Sequence, residues 1–90
     1  MCTMIANRLA LDGTLKAGGT WTTITEAFIG YDHPVQLELE HAVTLDLVDE
    51  RDGAMHRVAL ELPLEDARRL CDALTRVIEA ADAHEGGTGV

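Results

Sequence analysis

Apolar and polar residues alternate through most of the first sixty positions, and then the spacing changes to that of a helix. From Cys2 to Leu11, Thr3, Ile5, Asn7, Leu9 and Leu11 fall on one side, with Cys2, Met4, Ala6, Arg8 and Ala10 on the other. This is the period of a strand. Asp12 to Thr20 contains Gly13, Gly18 and Gly19 and reads as a loop. Trp21 to Tyr31, rich in Thr, Ile and aromatic residues, alternates again as a second strand. Pro34 has no N–H for a ladder, so this strand should end near His33.

Beyond Pro34, the residues Val35, Leu37, Leu39, His41, Val43, Leu45 and Leu47 form a period-two row. The run is longer than a usual strand, so a break is expected near Glu40-His41, with a regular strand from about Ala42 to Asp49. Glu50 to Gly53 reads as a tight turn with Gly53 supplying the positive φ. The following strand, Ala54 to about Glu61, sets His56, Val58, Leu60 and Leu62 against Val43, Leu45 and Leu47. Pro63, Glu65 and Asp66 mark a helix start. Ala67, Leu70, Cys71, Leu74, Val77, Ile78 and Ala81 then recur on one helical face, predicting a helix from about Leu64 to Ala83. Gly86-Gly87 reads as its stop. Residues 1–84 thus form a single domain and 85–90 a disordered tail.

The order ββββα predicts a two-layer α+β domain, a four-stranded antiparallel sheet with one C-terminal helix on one face. The uncovered face would carry Met4, Ala6, Phe28, Met55 and Ala59, with Ile24 a further candidate. Such a patch marks an interface, and a chain of ninety residues has a small core. A homodimer packed sheet to sheet or through strand edges is expected.

Charge narrows the partners. Sixteen acidic against seven basic side chains give a net charge of −9, which argues against nucleic acid and against an anionic membrane surface. No apolar run reaches the ~18 residues of a membrane span, and the N-terminus lacks the pattern of a signal peptide. Two cysteines, Cys2 and Cys71, without zinc-site spacing fit a reducing, cytoplasmic setting.

The candidate chemistry lies in Tyr31 to His41 and at the N-terminus. If Met1 is removed, Cys2 offers an amine and a thiol as nucleophile or metal ligand. Asp32 and His33 can act as an acid–base pair if the Pro34 turn breaks their strand alternation. His41 interrupts an apolar row and is either a satisfied core histidine or a ligand. Cys2, His33 and His41 form a donor set suited to zinc, copper or nickel. Trp21 and Tyr31, in phase on one strand, can line a ligand pocket, with Glu40 at the same rim. Cys71 reads as core, and His56 and His84 as surface residues. One condition governs this set: were the chain straight, His33 and His41 would lie roughly 26 Å apart.

The Met1-Cys2-Thr3-Met4-Ile5-Ala6 opening, the Tyr31-Asp32-His33-Pro34 block and Glu40-His41 together resemble a family of small actinobacterial proteins, a domain of unknown function. The resemblance covers nearly all of the chain except the tail. It implies a bacterial cytoplasmic protein near secondary-metabolism genes and supplies no activity or cofactor. Three readings stand. The first is a small dimeric binding or accessory protein, with a small metabolite or transition metal held at a rim near Cys2, Tyr31, His33 and His41. The second is a small enzyme using Cys2 as nucleophile or Asp32 and His33 as acid–base pair. The third is an interaction module docking through its open sheet face.

Overall fold

The computed structural model describes residues 5–51 and 54–88. Four strands, β1 (Ile5–Ala17), β2 (Thr20–Asp32), β3 (Ala42–Arg51) and β4 (Ala54–Leu62), form one antiparallel sheet in the order β1-β2-β3-β4. The helix α1 (Leu64–Thr88) follows, so the fold is the expected α+β arrangement. The β3–β4 register pairs Val43 with Leu62, Leu45 with Leu60 and Leu47 with Val58, the apolar row that alternation predicts. The Pro63 carbonyl accepts the Ala67 N–H at 3.0 Å and opens α1. The expected turn at Gly53 and the candidate Cys2 lie outside the described residues.

Several boundaries differ from the expectation, each for a physical reason. The expected loop from Asp12 to Thr20 is strand as far as Ala17, and only Gly18 and Gly19 turn. Both have positive φ, 60° and 80°, which suits a two-residue hairpin connection whose twist matches its strands. Gly13 does not break the strand. It sits where the β1–β2 register shifts between Ala10 and Gly13, a β-bulge. The helix also overruns Ala83 and continues through Gly86 to Thr88, so residues 85–88 are helical rather than a disordered tail. Among the described glycines only Gly18 and Gly19 have positive φ, so Gly86 does not adopt the left-handed cap that would end α1.

The bulge changes which residues face the helix. Ala27 pairs with Leu47 and Ile29 with Leu45, on the face toward α1. Ile24 and Thr22 line a cavity of about 170 Å³ with Leu47, Asp49 and Val58, so they belong to that same face. Buried Ile24 and Ala27 are therefore three residues apart on one face, and β2 changes phase between them. This corrects two expectations. Ile24 is not on the open face with Phe28, and Trp21 is not in phase with Tyr31. The open face is also more charged than expected. Arg8 bonds Glu26 there and lies 5.8 Å from the Phe28 ring centroid, and Arg57 pairs with Asp46 at 3.6 Å.

Among the described residues the buried apolar ones are few: Ile24, Ala27, Ala42 and Val48. No large side chain among them is fully buried. Helix α1 touches the sheet at β3 and β4 and then diverges from it. Cys71 is consequently exposed rather than a core residue.

Candidate functional site

The connection from β2 to β3 decides whether the two histidines meet. Strand β2 ends at Asp32, next to the position where Pro34 would deny it a ladder bond. Residues 33–41 then curl back instead of running on as a strand, and β3 begins at Ala42. Near the end of β4, the carboxylate of Glu61 accepts three successive backbone N–H groups of this loop. These are Val35 at 2.5 Å, Gln36 at 2.9 Å and Leu37 at 3.0 Å. Consecutive amides aimed at one carboxylate form an anion-binding concavity, here filled from within the chain. The bonds hold the Glu61 carboxyl below its ordinary value, with the Val35 N–H the largest cause.

The clamped loop folds the rim together. The rings of His33 and His41 stack with centroids 4.9 Å apart and planes inclined by 27°. Tyr31 lies on the same cluster, its ring centroid 5.5 Å from that of His41. His41 is therefore half-buried among rings at the sheet end and not within the apolar core. The row from Val35 to Leu47 does not share one face, and Val35 is 95% exposed.

Polar contacts assign roles within the rim. His33 Nδ1 lies 2.7 Å from the Glu40 carbonyl oxygen. A carbonyl only accepts, so Nδ1 donates this bond and Nε2 is left outside it. Glu40 thus contributes through its backbone, not through its carboxylate. The Asp32 carboxylate accepts the His33 backbone N–H at 2.7 Å. It caps the chain reversal, and the imidazole takes its orientation from Glu40 instead. Trp21 lies at the far end of β2, 63% exposed, with Lys16 Nζ 5.9 Å from its ring centroid. It is not part of the rim.

Tyr31, His33 and His41 are therefore brought together, with Asp32 and Glu40 supporting them. The described N-terminal residue Ile5 pairs with Tyr31, which sets the sheet end where β1 begins beside the rim. A family model described as a family of unknown function (DUF6295) matches residues 1–87. The chain belongs to this family. Comparison with curated proteins and with solved structures gave no match. Among the described residues, no group of three or more His, Cys, Asp or Glu is gathered as a metal site.

Sequence reasoning missed Glu61, which read as the last polar position of a strand. Its signal was weak: one acidic residue beside Leu62-Pro63, at the end of the strand next to β3. Nothing in local spacing connects it to amides some 25 positions earlier.

Proposed function

We propose that this protein is a small binding or accessory protein whose rim of Tyr31, His41 and His33 receives a small polar metabolite. The carrying observation is the His33–His41 stack, with His33 oriented through the Glu40 carbonyl. The stack offers an aromatic edge, the Tyr31 ring and an Nε2 atom on an exposed imidazole. The net charge of −9 favours a neutral or cationic ligand bearing an N–H or O–H donor. The family resemblance adds an actinobacterial, cytoplasmic protein near secondary metabolism as the expected setting. Among the described residues no helix is long and apolar enough to cross a membrane.

A transition metal is the second reading, favoured by the proton on His33 Nδ1, which leaves Nε2 as a donor atom. Nearly parallel rings do not point their nitrogens at one centre, so His41 would have to turn, and a third ligand is needed. Cys2 is the candidate. It is three positions before Ile5, a tether of at most about 10 Å, and Ile5 pairs with Tyr31. The enzyme reading has less support, because Asp32 bonds the His33 backbone rather than its ring.

A thermal-shift screen of small amines, amino acids, sugars and divalent zinc, copper and nickel tests both readings. A compound that raises the Tm of the native protein but not of His33→Ala or His41→Ala supports the rim. Hits that persist unchanged in both variants, or no hit in any class, overturn it. Elemental analysis separates the metal reading: about one metal per chain, lost in Cys2→Ala, is its expected result.

A further inference from the structure

Helix α1 and the sheet face beneath it leave a wedge of apolar surface open to solvent. On the helix, Leu70, Leu74, Val77 and Ile78 are 42–66% exposed. Across from them, Leu9, Ile29, Val58 and Leu60 on the sheet are 38–41% exposed. Between these surfaces lies a cleft of about 290 Å³ lined by Ile29, Leu45 and Leu60 from the sheet and Leu70, Cys71 and Leu74 from the helix. The radius of gyration is 15.8 Å. A compact chain of this length would measure about 12 Å. So few buried side chains offset little of the entropy of ordering the chain.

We infer that a second copy of this chain fills the wedge, the far half of its helix lying on this chain's sheet face while this chain's helix lies on its own. The helical stripe itself points to this occupant. Ala67, Leu70 and Leu74 already line the cleft over this sheet face, and Val77, Ile78 and Ala81 continue the same stripe beyond it. A surface that fits this sheet is therefore available on every copy, and exchange about a two-fold axis satisfies both halves at once. The 25-residue helix is about 37 Å long, long enough to reach past its own sheet. The area is also sufficient. Eight large apolar side chains at roughly 70–80 Å² each expose about 600 Å² per chain, and two copies approach the ~1,200 Å² lower bound of a specific interface. The like charge of the copies makes the association stronger in salt, since screening removes repulsion and leaves the apolar contact.

This inference stands independently of the ligand reading, and its test does not use the rim. Light scattering on the full chain across a range from about 1 to 100 μM is expected to give the mass of two chains. Val77→Glu is expected to give one, because Val77 is 66% exposed on the isolated chain and its charge would be buried only against a partner. Phe28→Ser, on the opposite sheet face, is expected to leave the pair intact. A native chain that is monomeric at 100 μM overturns the inference. So does a Val77→Glu variant that stays dimeric, and so does dissociation caused by Phe28→Ser alone. Should Val77→Glu fail to fold, the native protein decides: a Tm that rises with concentration supports the dimer, and a constant Tm overturns it.

Discussion

Glu61 and Val35 are joined across 26 positions of chain by one hydrogen bond, backbone N–H to carboxylate, at 2.5 Å. With its neighbours from Gln36 and Leu37, this bond fixes the loop that stacks His33 on His41. Glu61→Gln keeps the shape of the side chain but removes the charge and leaves a single acceptor oxygen. The amides of Val35, Gln36 and Leu37 are expected to exchange with solvent about tenfold faster or more, the order that follows from losing a charge-assisted bond. Amide exchange followed by NMR checks this. Unchanged protection would mean that the loop holds itself.

The same bonds set a pH dependence. The folded Glu61 carboxyl lies below its ordinary value, so its contribution to loop order is fully present above the unfolded carboxylate range near ~4.3–4.5. It is lost as pH falls through the depressed folded value. The amide shifts of Val35, Gln36 and Leu37 should therefore show a loop transition on the acid side of pH 4.5 that is missing in Glu61→Gln. An acid-side transition of these amides that survives in Glu61→Gln would sink this assignment.

His41 sits between Tyr31 and His33, so His41→Ala removes the middle ring of three. A loss of about 0.5–1.5 kcal/mol is expected, the range for an aromatic pair. His33 ring protons should also lose their ring-current shift. Chemical denaturation and an NMR spectrum at one fixed protein concentration measure the two effects.

Asp49 is 2% exposed and accepts a hydrogen bond from the Thr22 hydroxyl. Thr22→Val retains the volume and removes the donor. The expected cost is about 1–2 kcal/mol, because a buried carboxylate loses one of its bonds. A neutral outcome in urea denaturation would show that Asp49 is fully satisfied by other groups.

Gly86 lies inside α1, has no positive φ and would place a new Cβ in open space. Gly86→Ala should therefore stabilise the end of the helix by about 0.5–1 kcal/mol and raise its helical signal in circular dichroism. Reduced helicity would mean that the helix stops at Ala83, where the apolar stripe ends.

The elements were legible in the chain because their causes are local. Alternation of Val43, Leu45 and Leu47 against Val58, Leu60 and Leu62 specified both the hairpin and its register. Pro63 with Glu65 and Asp66 marked the start of α1. On the outer surface of its first turns Glu65 meets Arg68 and Asp66 meets Arg69. The phase change in β2 was not legible, since the bulge between Ala10 and Gly13 is a property of paired strands and Gly13, its one local mark, read as part of a loop. Trp21 is outside the site because it stands at the opposite end of β2 from Tyr31.

By itself the sequence determined the ββββα order, the inward row of the central hairpin and the suspicion attached to Asp32, His33, Glu40 and His41. Those follow from side-chain period, proline chemistry and helix-end preferences, all of which act over a few residues. Only the tertiary structure decided that His33 and His41 meet, because the bonds responsible reach from Glu61 to Val35, Gln36 and Leu37. It likewise decided that α1 leaves the sheet with its apolar stripe uncovered, since the direction of a helix depends on what its face packs against and not on the stripe alone.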